Sequence, residues 1–130
     1  MGLFLSRTWF IYARDANDQW MEPLTSTLAK EDDMHHHMGR FKHYVFLLAL
    51  GKLDESISKI YLYQHRRVAK CEILENGLRV DFSSKEAADA WVACKRSKQG
   101  RKFDSVYSFK ERGEYSVTFT RSQDPPSVED

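Results

Sequence analysis

The apolar positions of this chain change period along its length, and the changes mark out its elements. Between residues 68 and 82, Cys71 and Ile73, then Leu78, Val80 and Phe82, alternate with other residues at the period of strands with one covered face. Asn76-Gly77 separates the two runs and is the dipeptide that favours a two-residue hairpin turn with positive φ at both central positions. Pairing about that turn sets Ile73 opposite Val80 and Cys71 opposite Phe82, so one face of the hairpin is apolar. Ser83 stands three residues before Glu86, the spacing of a capping box, and opens a helix that carries Ala87, Ala90, Trp91 and Cys94.

The same reading extends outwards. Residues 3–13, with Trp9, Phe10, Ile11 and Tyr12, are rich in β-formers and predict a first strand, followed by a polar, turn-rich loop over 14–23. From 25 to 50 the stripe Met34, Met38, Phe41, Val45, Leu48 recurs at steps of four and three, which predicts a helix facing a core, with Gly51 placed to stop it. Residues 53–64 carry both periods and read as a helical turn followed by a strand. Gly100 breaks the later helix, and a second hairpin is expected from 106–109 and 115–120 around Glu111-Arg112-Gly113-Glu114. There Tyr115, Val117 and Phe119 point to one side and Ser116, Thr118 and Thr120 to the other. No internal repeat is visible. The sum is an α+β domain over residues 1–121, an antiparallel sheet of about five strands with two or three helices packed on one face.

Composition narrows the class. A chain of 130 residues, 42% hydrophobic and 30% charged, has the balance of a globular domain large enough to build a core without disulfides or metals. The longest apolar run, 44–50, falls far short of the roughly 18 residues of a membrane span. Cys71 and Cys94 are too few for a disulfide framework and sit on elements expected to pack inward. Two reduced, buried thiols and a cytoplasmic or other reducing compartment are the expectation, with a single disulfide between them as the alternative. Met1-Gly2-Leu3-Phe4-Leu5-Ser6 has the spacing for myristoylation of Gly2, against the simpler reading as the start of a strand.

The net charge of +1 conceals an uneven distribution. Residues 15–33 hold six acids against Lys30 alone, while Lys95, Arg96, Lys98, Arg101 and Lys102 form a run without an acid, as do Lys59, Arg66, Arg67 and Lys70. Residues 122–130, with two prolines and three acids, have the composition of a disordered acidic tail. Without them 20 basic residues face 16 acidic ones, a body charge of +4.

The segment Gly77-Leu78-Arg79-Val80-Asp81-Phe82-Ser83-Ser84-Lys85-Glu86-Ala87-Ala88-Asp89-Ala90-Trp91, extending to Val92, resembles the third strand and second helix of an RNA recognition motif. The resemblance implies a ferredoxin-like arrangement and single-stranded RNA bound by stacking on aromatic side chains of the central strands. The two stacking positions of the family fall here on Gly77 and Arg79, of which Arg79 offers only a guanidinium plane.

Other chemistry is thinly represented. His35, His36, His37 and His43 with Glu31, Asp32 and Asp33 supply metal-ligating types, but no two of these histidines are spaced to share one helical face within a turn. If the segment were a strand, His35 and His37 would share a face, as in metal-dependent enzymes that nick DNA with a tyrosine; a solvated polar turn ahead of the helix is the default. No nucleophile elbow, phosphate loop or Cys-Gly context is present, so no catalytic residue, metal or cofactor is assigned. Lys95 and Arg96 beside Cys94 would lower its thiol pKa if it were exposed; a packed thiol is the expectation.

The basic runs interleaved with aromatics are the remaining signal. Arg66, Arg67, Lys70 and Arg79, with Lys95, Arg96, Lys98, Arg101 and Lys102, would form a positive rim for a phosphate backbone if both runs met at one edge of the sheet. Tyr61, Tyr63, His65 or Tyr107 would add stacking faces. The bland alternative is that the later run only complements a helix dipole. The expected function is a non-enzymatic nucleic-acid-binding domain, RNA before DNA. The competing class is a protein-interaction module, such as a viral or phage accessory protein that binds and modulates a host protein, with Trp9, Trp20 or Tyr63 as anchors.

Overall fold

Side-chain alternation along the strands gives the sheet, among the described residues, one face covered by helices and one that is not. The computed structural model describes residues 8–21, 23–28, 33–94 and 98–122. In chain order these form β1 (Thr8–Asp15), β2 (Thr25–Leu28), α1 (Met34–Ala49), β3 (Ile57–Tyr63), β4 (Arg67–Leu74), β5 (Gly77–Phe82), α2 (Lys85–Ala93), α3 (Gly100–Val106), β6 (Tyr107–Gly113) and β7 (Ser116–Arg121). The strands make one open sheet in the order β2-β1-β3-β4-β5-β7-β6, with every neighbouring pair antiparallel.

Trp9, Ile11 and Ala13 of β1, Ile60 and Leu62 of β3, Ala69 and Cys71 of β4, and Leu78, Val80 and Phe82 of β5 all point to the same side. There they join Met38, Phe41 and Val45 of α1, Ala87, Ala90 and Trp91 of α2 and Phe103 of α3 in a single buried cluster. All three helices therefore lie on one face, the α+β arrangement the apolar periods imply. Aromatic edges and faces fill this layer: Trp91 meets Phe41, Phe46 and Phe82, and Phe103 stacks on Phe46 and Tyr107. Each such ring removes enough apolar surface from water to contribute about 2–3 kcal/mol before conformational entropy is set against it.

The stripe of α1 is as expected, with Met38, Phe41, Val45 and Leu48 buried, but the helix starts at Met34 instead of residue 25. Thr25–Leu28, with two β-branched threonines, pairs with β1 as an edge strand, and the Asp33 carboxylate accepts the His36 amide at 3.1 Å to cap the helix. At the other end Gly51 takes φ +72°, its amide bonds to Leu48 O at 3.1 Å and that of Lys52 to Leu47 O at 2.8 Å, closing the last turn.

The central hairpin differs from expectation in register. Ile73 pairs with Leu78, Cys71 with Val80 and Ala69 with Phe82, a slip of two residues that leaves the same side chains on the covered face. Gly77 is a strand residue here, drawn out of the turn because its bare Cα lies against the backbone of Phe119 and Thr120 in β7. The helix cap is also displaced by one. Ser84, not Ser83, accepts the Ala87 amide at 3.1 Å, while Ser83 donates its hydroxyl to Val68 O at 3.2 Å. Gly100 begins α3 where a loop was expected, and the sheet has seven strands where the sequence suggests about five. Residues 1–7 and 123–130, with the Gly2 motif and nearly all of the acidic tail, lie outside the described residues.

Candidate nucleic-acid interface

Because Ile11, Ala13, Ile60, Leu62, Ala69, Cys71 and Val80 face the core, their neighbours must face the other way. Pairing across β1, β3, β4, β5 and β7 lines them up in two rows on the helix-free face: Tyr12, Tyr61, Lys70, Asp81 and Ser116, then Arg14, Lys59, Glu72, Arg79 and Thr118.

The first row begins with an aromatic stack. The connection after β1 folds back on itself, with the Asp15 carboxylate accepting the amides of Asn17 and Gln19, both at 2.9 Å, and Asp18 at φ +62°. This return brings Trp20 into an antiparallel bridge with Arg14 and lays its indole on Tyr12, 4.1 Å between centroids and 12° between planes. Tyr12 in turn stacks on Tyr61 at 4.9 Å and 5°, and Tyr63 meets Tyr12 edge-on at 5.9 Å. Tyr12 is buried within the row, whereas Trp20 keeps 61% of its surface exposed. The Arg14 guanidinium lies 5.5 Å from the Trp20 ring centre and 5.7 Å from that of Tyr61. Burial pushes the Tyr12 hydroxyl pKa up, opposed by its hydrogen bond with Arg14.

The second row is a chain of ion pairs. Asp18 joins Arg14 at 3.4 Å and Lys59 at 3.2 Å; the hydrogen bond to Asp18 raises the Lys59 pKa. Glu72 joins Lys70 at 3.7 Å and Arg79 at 3.5 Å, and Arg79 reaches Asp81 at 3.1 Å. These pairs stand at the surface, where solvent screens them and each adds little to stability. Their larger effect is on the field: Lys70 and Arg79 carry their counter-charges with them.

Of the residues singled out from sequence, Tyr61, Tyr63, Lys70 and Arg79 thus share the helix-free face. Arg66 and Arg67 are exposed where the chain turns from β3 to β4, beside His65 at φ +42°, and make no ion pair among the described residues. Lys98 lies on the helix layer next to α1, and Arg101 and Lys102 are exposed on α3, with Lys102 close to Lys52 beyond the end of α1. Lys95 and Arg96 are outside the described residues. Among the described residues, Lys98, Arg101 and Lys102 thus belong to the helix layer, whereas Lys70 and Arg79 lie on the helix-free face. After Phe82 the chain leaves the sheet for the helix layer, and Lys98, Arg101 and Lys102 go with it. Tyr107 offers no stacking face either, since it is buried and donates its hydroxyl to Ala49 O at 3.0 Å.

Tyr12 and Arg14 are not among the site residues singled out from sequence, and Trp20 enters there only as an anchor of the interaction reading; Trp9, named beside it, is buried under α1 against His37 and offers no anchor. The inward alternation of Trp9, Ile11 and Ala13 already puts Tyr12 and Arg14 outward, but the return of Trp20 depends on a loop that no local pattern specifies.

The remaining candidates have structural surroundings. His35, His36 and His37 belong to the first turn of α1, and His37, only 4% exposed, stacks on Trp9 at 4.4 Å. Among the described residues no three His, Cys, Asp or Glu side chains are grouped to hold a metal ion. Both cysteines are free: Cys71 is fully buried and Cys94 donates its thiol to His35 O at 3.4 Å. Burial raises both thiol pKa values, outweighing the nearby Lys42 ammonium at Cys94. No helix among the described residues is long and apolar enough to cross a membrane. No family model matches the chain, and neither a curated protein nor a solved structure matches it.

Proposed function

We propose that this protein is a non-enzymatic binding domain for single-stranded nucleic acid, RNA before DNA, and that the strand lies across the helix-free face of the sheet. The observation that carries the reading is the Trp20–Tyr12–Tyr61 stack with Tyr63 at its edge, a row of rings that ends in solvent at Trp20. A base laid on Trp20 continues a stack that is already ordered, which spares the entropy of assembling one. Arg66 and Arg67 supply phosphate contacts from the β3–β4 turn. The resemblance of residues 77–92 to an RNA recognition motif supports the same ligand class, although the rings used here come from β1, β3 and the loop after β1. This site replaces the two-run rim, keeping Tyr61, Tyr63, Arg66, Arg67, Lys70 and Arg79 and dropping Lys98, Arg101 and Lys102.

The test is a fluorescence-anisotropy titration of labelled single- and double-stranded RNA and DNA at two salt concentrations. Single strands should bind best and lose affinity as salt rises. Trp20→Ala and Tyr61→Ala should each weaken binding about ten-fold or more, since a base on an aromatic ring is worth about 1–3 kcal/mol.

The second reading is a protein-interaction module using the same face, with Trp20 as its anchor. It is favoured by the matching of Lys70 and Arg79 with Glu72 and Asp81, which lowers the positive field a polyanion would meet. No oligonucleotide binding at low salt, together with pull-down of one defined protein that Trp20→Ala abolishes, would select it.

A further inference from the structure

We propose that the cavity at the C-terminal end of α1 binds a small organic amine, an ammonium group carried on an apolar body. The helix layer stops short of the sheet there. Ala69, Cys71 and Ile73 follow one another on the covered side of β4, and the first two are fully buried while Ile73 keeps 37% of its surface exposed. Around Ile73 lie Leu53, Leu74 and Val106, and with the last turn of α1 they bound a space of about 570 Å³. That is the scale of a small-molecule site, roughly 300–1,000 Å³.

Charge decides which molecule fits. Asp54, Glu55 and Glu75 line the cavity, against Arg121 as the basic group among its described lining residues. The Asp54 carboxylate accepts the Ser56 amide at 2.9 Å and hydroxyl at 2.7 Å, which fixes the loop. Glu55 and Glu75, by contrast, are exposed and make no hydrogen bond or ion pair among the described residues. Arg121 is held beside Tyr107, its guanidinium 5.9 Å from the ring centre. The negative end of the α1 dipole adds to the field, and the last turn of that helix carries no basic residue to offset it. Lys52, just beyond the helix, stands next to Lys102 and is not part of the wall. The chain after Ser122 brings no positive charge either, since residues 123–130 hold no Lys, Arg or His. An ammonium group facing Glu55 or Glu75, with its carbon skeleton on Ile73 and Leu53, uses both the charge and the apolar floor. An anion would meet three carboxylates, and a neutral molecule would leave them without a partner. The inference is independent of the sheet-face reading, since it uses none of its residues.

The experiment follows the methyl signals of Leu53, Ile73 and Val106 by NMR in the full chain, at neutral pH and fixed ionic strength, during titration with phenethylamine, 2-phenylethanol or phenylacetate. The three probes share a phenyl ring on a short carbon chain and differ in charge. Saturable shifts with phenethylamine are expected, at an affinity about ten-fold above that for 2-phenylethanol, with no saturation by phenylacetate. Glu55→Gln with Glu75→Gln should weaken phenethylamine binding about ten-fold and leave 2-phenylethanol within about two-fold, with an unchanged backbone spectrum as the folding control. Glu114→Gln, exposed in the turn between β6 and β7, should alter neither. The ranking of the three probes by the parent protein decides the question even where the double variant does not fold. No saturable shift with phenethylamine, binding of phenylacetate or 2-phenylethanol as tight as that of the amine, or amine binding unchanged in the folded double variant overturns the proposal.

Discussion

Replacing Gly77 by alanine places a methyl group against the carbonyl oxygen of Phe119, well inside van der Waals contact, and 3.1 Å from Thr120 Cα. These are backbone atoms of the next strand, so no rotamer change relieves them. The end of β5 must move away from β7, where Gly77 pairs with Thr120 and Leu78 with Phe119. Two ladder hydrogen bonds at about 1 kcal/mol each, plus partial exposure of the fully buried Leu78 at about 1–2 kcal/mol, give a loss of about 3–4 kcal/mol. Urea unfolding followed by circular dichroism should show this as a lower midpoint at an unchanged slope. Two other glycines calibrate the result. Gly51→Ala meets nothing within 4 Å but must hold φ at +72°, a cost of about 1–2 kcal/mol. Gly39→Ala has ordinary room in a helix and should stabilise by up to about 1 kcal/mol. A Gly77→Ala variant within about 0.5 kcal/mol of the parent, or less damaged than Gly51→Ala, would refute the β5–β7 register from which the two faces are assigned.

The buried thiol gives a pH signature. Burial, with Asp81 and Glu72 adding to it, raises the Cys71 pKa in the folded state, so the native protein holds that proton more tightly than the unfolded chain. Stability is therefore intact below about pH 8.5 and falls above it as the unfolded thiol ionises, by about 1.4 kcal/mol per pH unit until the native value is reached. Urea midpoints measured between pH 7 and 10 should show this slope in the parent and a smaller one in Cys71→Ala. A thiol-reactive chromophore should label Cys94 slowly in the native state and Cys71 only on unfolding; rapid labelling of both would contradict the packing. In oligonucleotide binding, Arg66→Glu with Arg67→Glu should reduce affinity and flatten its salt dependence, whereas Arg101→Glu with Lys102→Glu, on the helix layer, should leave both within about two-fold.

What was legible in the sequence is what period alone encodes. The steps of four and three from Met34 to Leu48 mark the covered face of α1, and the alternation at Cys71, Leu78, Val80 and Phe82 assigns their sides correctly even though the register is off by two. Faces survive such a slip because strand side chains repeat every two residues. The slip itself has a tertiary cause, since Asn76-Gly77 is a good local turn but Gly77 is the residue that β7 can approach. Thr25–Leu28 is hidden for a similar reason. Its partner is β1, and nothing within four residues announces an edge strand ahead of a helix. The candidate site was half visible: Tyr61, Tyr63, Lys70 and Arg79 are outward by alternation, while Trp20 enters through a loop reversal held by Asp15. Charge runs are read along the chain, and the chain changes layer between Lys70 and Lys98, so the described cations of the later run, Lys98, Arg101 and Lys102, stand on the helix layer.

The central claim is that the helix-free face, led by Trp20, Tyr12 and Tyr61, receives a single-stranded nucleic acid. Its most direct test is a backbone-amide NMR map of the ¹⁵N-labelled protein titrated with a short unstructured RNA. The largest perturbations should fall on β1, β3 and β4, on the Trp20 indole N–H and on the Arg66–Arg67 turn, with the outer faces of α2 and α3 unmoved. A map centred on the helices, or no perturbation at low salt, would contradict it.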